Sequence, residues 1–142
     1  MSIKQLSVFV ENKEGAMLGI SEALAEFQID IRAISIADTT DFGILRLIVK
    51  DTEKALAALK AKNIIVSVTD IIAVAMPDKP GSLSKVLSVL SEGRINIEYM
   101  YAFLTVSNDK AFVAIKVEDN EKTTNLLTKG GIETINNSDI NF

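Results

Sequence analysis

Two short segments of this chain combine residue types suited to capturing a small charged molecule. They are Asn12-Lys13-Glu14-Gly15-Ala16-Met17 and Asp78-Lys79-Pro80-Gly81-Ser82-Leu83. In each, an alternating apolar stretch ends, a turn around glycine follows, and a helical period begins. The first N–H groups of a helix have no acceptor inside it, so they attract an anion such as a carboxylate. Glycine lets the backbone come close to such a ligand. Downstream of the two turns come Ile29-Asp30-Ile31-Arg32 and Ile95-Asn96-Ile97-Glu98. An Asn or Asp oxygen there can accept hydrogen bonds from an ammonium group.

Other chemistries are excluded by composition. The chain has no cysteine and no histidine. That removes thiolate catalysis, disulfides, the usual zinc and copper sites and the commonest general base. The formal charge is −4, without a Lys/Arg cluster, which argues against nucleic acid as a partner. Carboxylates cluster at helix starts, where they cap and complement the dipole. Ser82 has no base near it in the pattern. No catalytic residue, metal ligand or cofactor is therefore expected, and the chain reads as a non-enzyme. No apolar run is long enough to cross a bilayer, and the N-terminus has no signal-peptide core, so a cytoplasmic location is expected.

The elements that position the two segments repeat. From Gly15 to Gly81 the offset is 66, and it also relates Val8/Val74, Leu24/Leu90, Ile29/Ile95 and Ile31/Ile97. Farther on it becomes 68, relating Val49/Val117, Asp51/Asp119, Leu59/Leu127 and Ile64/Ile132. A repeat of this length sets the architecture. The first copy reads as a strand over 3–10, a helix carrying Met17, Ile20, Leu24 and Phe27, and strands over 30–38 and 44–50. A helix capped by Asp51 follows, then a strand over 64–69, with turn chemistry at 39–43 between the second and third strands. The second copy reads as strands over 71–76, 96–105, 111–117 and 132–136 and helices over 82–92 and 120–129. Its turn is at Ser107-Asn108-Asp109, Gly93 supplies a left-handed helix stop, and the tail 137–142 is loose. Each copy is βαββαβ, so the fold class is α+β: two ferredoxin-like units, 1–69 and 70–142, with antiparallel sheets and the helices on one face. The two copies use nearly the whole chain, and no separate catalytic domain is expected.

Asp78-x-Pro80-Gly81-x-Leu83 followed by Ile95-Asn96-Ile97 resembles the ACT-domain family, whose members sense amino acids and other small ligands. The resemblance extends over both copies, although Glu14 stands in the first where Pro80 stands in the second. It implies a stand-alone tandem ACT protein that binds an amino acid and modulates a partner enzyme of amino-acid metabolism. In that family two domains pair through their second strands into one eight-stranded sheet, with ligands at the seam. Carried over, site A joins Asn12, Gly15, Ala16 and Met17 to Asn96, Ile97 and Glu98. Site B joins Asp78, Gly81, Ser82 and Leu83 to Asp30, Ile31 and Arg32. Site A pairs two neutral asparagines and suits a zwitterion. Site B pairs two aspartates, which oppose a carboxylate unless Arg32 or Lys79 offsets them, so site A is expected to bind better. The alternative is a regulatory subunit acting by protein contact, with vestigial pockets. A homo-oligomer, a dimer, is expected in either case, since the helix-free sheet face is only half polar.

Overall fold

In the computed structural model, residues 2–38, 41–104 and 108–140 are described. The chain divides into two compact units, the first Lys4–Thr69 and the second running from Asp70 onward and taking in Ile3.

In the first unit, the alternation of Leu6, Val8 and Val10 forms β1 (Ile3–Glu11). The following change of period forms α1 (Ala16–Glu26), which buries Ile20, Ala23 and Leu24. β2 (Ile31–Asp38) and β3 (Phe42–Val49) pair antiparallel, with Ile34 opposite Leu47 and Ile36 opposite Leu45. α2 (Thr52–Ala61) buries Ala55, Ala58 and Leu59. The strand order is β2-β3-β1 and then the first part of β4 (Val66–Pro77). Leu6, Val8, Leu24, Leu45, Leu47 and Leu59 meet in one core between helices and sheet. Fully burying one such side chain is worth about 1.5–3 kcal/mol.

The second unit repeats the plan. It runs through the rest of β4, α3 (Ser82–Glu92), β5 (Tyr99–Ala102), β6 (Lys110–Lys116), α4 (Asn120–Lys129) and β7 (Glu133–Ile135). β4 pairs antiparallel with β6 and β7, and β6 with β5, giving the order β5-β6-β4-β7. Ile72, Val74, Val86, Leu90, Ile115 and Leu127 form its core.

Several details differ from expectation. The described residues hold seven strands and not eight: the last strand of the first unit runs straight into the first of the second through Thr69-Asp70, as the sequence suggests, and the two count as one strand, β4. Its Val66–Ile72 run is rich in β-branched residues and has no Gly or Pro to stop it. β5 is shorter than the expected 96–105. Its partner β6 ends at Lys116, opposite Tyr99; Glu98 N–H still donates to Lys116 O at 2.9 Å, but residues 96 and 97 have no β6 residue opposite them. Gly93 is not the left-handed residue: its φ is −80°, and Arg94 takes φ +59° instead. Gly93 serves close packing, because a Cβ there would lie 2.5 Å from Cδ1 of Leu126 on α4. Asn137–Ile140 form a 3-10 turn held by bonds to Asn136 and Asp139, so this part of the tail is built. Residues 39, 40, 105–107, 141 and 142, on which the two expected turns and the tail partly fall, lie outside the described residues.

The second helix of each unit starts identically. The Asp51 carboxylate accepts from the Lys54 N–H at 3.1 Å, and Asp119 accepts from the Lys122 N–H at 3.0 Å. Asp51→Ala and Asp119→Ala are each expected to lower unfolding free energy by about 1 kcal/mol in urea titrations. A loss under about 0.3 kcal/mol in both would mean that these caps do not hold the helices.

Candidate functional site

The two sequence-identified loops are built with the same hydrogen bonds. In the first, Asn12 N–H donates to Asp41 O at 3.0 Å, Lys13 N–H to Glu11 O at 2.9 Å, and Ala16 N–H to Lys13 O at 3.4 Å. In the second, Asp78 N–H donates to Asp109 O at 2.8 Å, Lys79 N–H to Pro77 O at 2.9 Å, and Ser82 N–H to Lys79 O at 3.3 Å. The turn closes on a left-handed glycine in both, Gly15 at φ +80° and Gly81 at φ +91°. Glu14 and Pro80 therefore occupy equivalent turns. Both glycines are helix N-caps without a side-chain cap bond. The N-cap residues of α1 and α3 thus have no side chain with which to cap the first turn, unlike Asp51 and Asp119 at α2 and α4.

Each unit carries a groove against its own loop. The first, about 590 Å³, runs from Gly15, Ala16 and Gly19 to Asn63, Ile64 and Ile65. The second, about 410 Å³, runs from Gly81, Ser82 and Lys85 to Gly131 and Ile132. These walls correspond by the repeat offsets. The flanking charge does not correspond. Glu11, Glu22 and Glu26 line the first groove, with Lys13 and Lys62; Lys79 and Lys85 line the second, with no carboxylate.

The remaining expected residues sit elsewhere within their units. Met17 and Ile31 pack against the first core, and Ile97 against the second. Leu83 is exposed, as are Asn12 and Asp78. Asp30 and Arg32 form an ion pair, Nη1 to Oδ2 at 2.8 Å, with Arg32 largely buried. Arg32 therefore offsets the Asp30 charge within its own unit. Asn96 and Glu98 line a separate polar cavity of about 900 Å³ with Asp119, Asn120 and Lys122. Glu98 also pairs with Lys116 at 3.2 Å. No cluster of His, Cys, Asp or Glu able to hold a metal ion occurs among the described residues.

Sequence reasoning missed Lys85 and the groove walls at 63–65 and 131–132. Their signal was present in the repeat itself, since Lys85 stands where the first copy has Gly19.

A Cβ on Gly15 or Gly81 would meet nothing within 4 Å, so only backbone conformation demands glycine. Gly15→Ala and Gly81→Ala are each expected to lose about 1–2 kcal/mol in equilibrium unfolding. Glu14→Pro is expected to gain about 0.4–1 kcal/mol, since the matching turn already holds a proline. Destabilisation by Glu14→Pro would refute the equivalence of the two turns.

The family model described as ACT domain pair matches residues 1–141. A search of curated proteins finds no match. Among solved structures, protein BT0572 from Bacteroides thetaiotaomicron is 40% identical, with a TM-score of 0.91 over 99% of this chain and 96% of that one. The regulatory subunit of aspartate kinase from Thermus thermophilus, in its ligand-free form, is 19% identical, with a TM-score of 0.64 over 89% and 91%. The same subunit from Thermus flavus is 19% identical, with a TM-score of 0.58 over 90% and 92%. At that identity the likeness to the two subunits is one of fold.

Proposed function

This chain belongs to the ACT domain pair family, a family of regulatory domains, and on that footing we propose that it is an amino-acid-binding regulator. The carrying observation is the duplicated turn. Two left-handed glycines each leave a helix start uncapped beside a groove. Such a start attracts a carboxylate. In this reading the α1 start, with Asn12, Gly15, Ala16 and Met17, takes the ligand together with Asn96, Ile97 and Glu98. The α3 start, with Asp78, Gly81, Ser82 and Leu83, takes it together with Asp30, Ile31 and Arg32. The asparagine set is the better one for a zwitterion. The Asp30–Arg32 ion pair softens the charge conflict of the other set without supplying a free cation.

A bound amino acid shifts a conformational equilibrium only by its preference for one arrangement. The protein acts through a partner enzyme of amino-acid metabolism, as a homo-oligomer in the cytoplasm. The similarity of fold to aspartate kinase regulatory subunits supports the choice of partner class. Within the described residues no helix is long and apolar enough to cross a membrane.

A thermal-shift screen against the common amino acids tests this. A ligand at about 100 times its Kd adds about 2.7 kcal/mol. For a chain of this size that is a rise of roughly 5–10 °C in Tm. No shift with any amino acid at millimolar concentration would favour regulation by protein contact alone. For the responding ligand, calorimetry should show weaker binding in Asn96→Ala than in Asp30→Ala. The opposite order would overturn the ranking of the two sets.

A further inference from the structure

The two grooves share a backbone frame but differ in what they leave unneutralised. In the first groove both lysines are already paired with carboxylates of the same groove. Lys13 meets Glu11 at 3.0 Å, and Lys62 meets Glu26 at 3.0 Å. In the second groove neither Lys79 nor Lys85 has an ion-pair partner among the described residues, and no carboxylate lines the walls. Asp78, the first residue of the loop, is not part of the lining. A second, independent feature lies in the same wall. Ser82 is the first residue of α3, is only 8% exposed, and its Oγ has no hydrogen-bond partner among the described residues. The matching residue in the first groove is Ala16, which has no hydroxyl. A buried hydroxyl without a partner is unfavourable, and an incoming oxygen acceptor removes that deficit.

We propose that the groove at the start of α3 is a binding site for a small dianion, a phosphate or a dicarboxylate. It is held by the Leu83 and Ser84 N–H groups in the first turn of α3, the Ser82 hydroxyl and the ammonium groups of Lys79 and Lys85. The first groove, with three carboxylates against two paired lysines, rejects the same ligand. Two positive side chains and a helix start together oppose about two negative charges, which separates this ligand class from a net-neutral amino acid.

The test uses the whole chain in a low-salt buffer free of phosphate. Inorganic phosphate and succinate are titrated separately, with alanine as the neutral control, while backbone amide shifts are followed by NMR. The expected result is saturable binding of at least one dianion, moving the Ser82, Leu83 and Lys85 amides and leaving those of Gly15 and Gly19 in place. The arm that saturates identifies the dianion as phosphate-like or dicarboxylate. Lys85→Gln should raise Kd about 5–10-fold, because one charge-assisted contact is lost at an exposed, screened position. Ser82→Ala should raise it about 3–10-fold. Absence of saturable shifts with both dianions overturns the proposal. So does binding that is unchanged in both variants, or binding that moves the first groove instead. If neutral amino acids stabilise the protein while neither dianion binds, this proposal fails and the amino-acid reading stands. Dianion binding at the α3 groove without any amino-acid response upholds this proposal and overturns the amino-acid reading.

Discussion

Everything about this fold turns on one backbone requirement. Each unit must leave a buried strand and start a helix over the same sheet within a few residues. The chain does so through a left-handed glycine, at Gly15 and at Gly81. A glycine in that place has no side chain to bond the first N–H groups of the helix, so the N-cap residue itself leaves the helix start open. The second helix of each unit is entered differently, from an extended Asp51 or Asp119 whose carboxylate closes it. One unit thus contains one open and one closed helix start, and the open one faces the loop groove. The proposed capacity for an anion rests on the way the chain makes its turn.

Much of this was legible in the residues. Apolar spacing located the four helices, and the offsets of 66 and 68 predicted that turns, caps and cores would recur in pairs. They do recur, down to Ile29 N–H bonding Leu24 O and Ile95 N–H bonding Leu90 O, both at 2.9 Å. Where reading along the chain failed, the deciding partner was distant in sequence. β5 begins only where β6 ends, and Gly93 is small because of Leu126 on another helix. Local signals carry no trace of such partners. The left-handed stop at Arg94 was hidden for a different reason. Glycine is the statistical choice for that conformation, but a neighbouring packing demand had already claimed the glycine one position earlier.

The candidate site was legible as a set of loop residues but not as surfaces. Ser82 was recognised as part of a helix start, whereas its burial and its missing partner depend on the walls around it. Lys85 gains meaning only beside the other groove, whose lysines are paired with carboxylates. Duplication supplied two copies of one frame. Substitution at positions such as Gly19/Lys85 and Ala16/Ser82 then gave them opposite electrostatic character, with no change in the turn that supports them.

The strand shared by the two units carries an evolutionary consequence. Modular proteins usually exchange parts at loops, where a cut separates finished pieces. From Val66 to Pro77 this chain offers no such place, because the last strand of one copy passes directly into the first strand of the next. Recombination at the boundary would leave half a strand on each product. With no linker between them, the duplicated units cannot be shuffled as separate pieces of structure. They pass on as one piece, even where matched positions such as Gly19 and Lys85 have diverged.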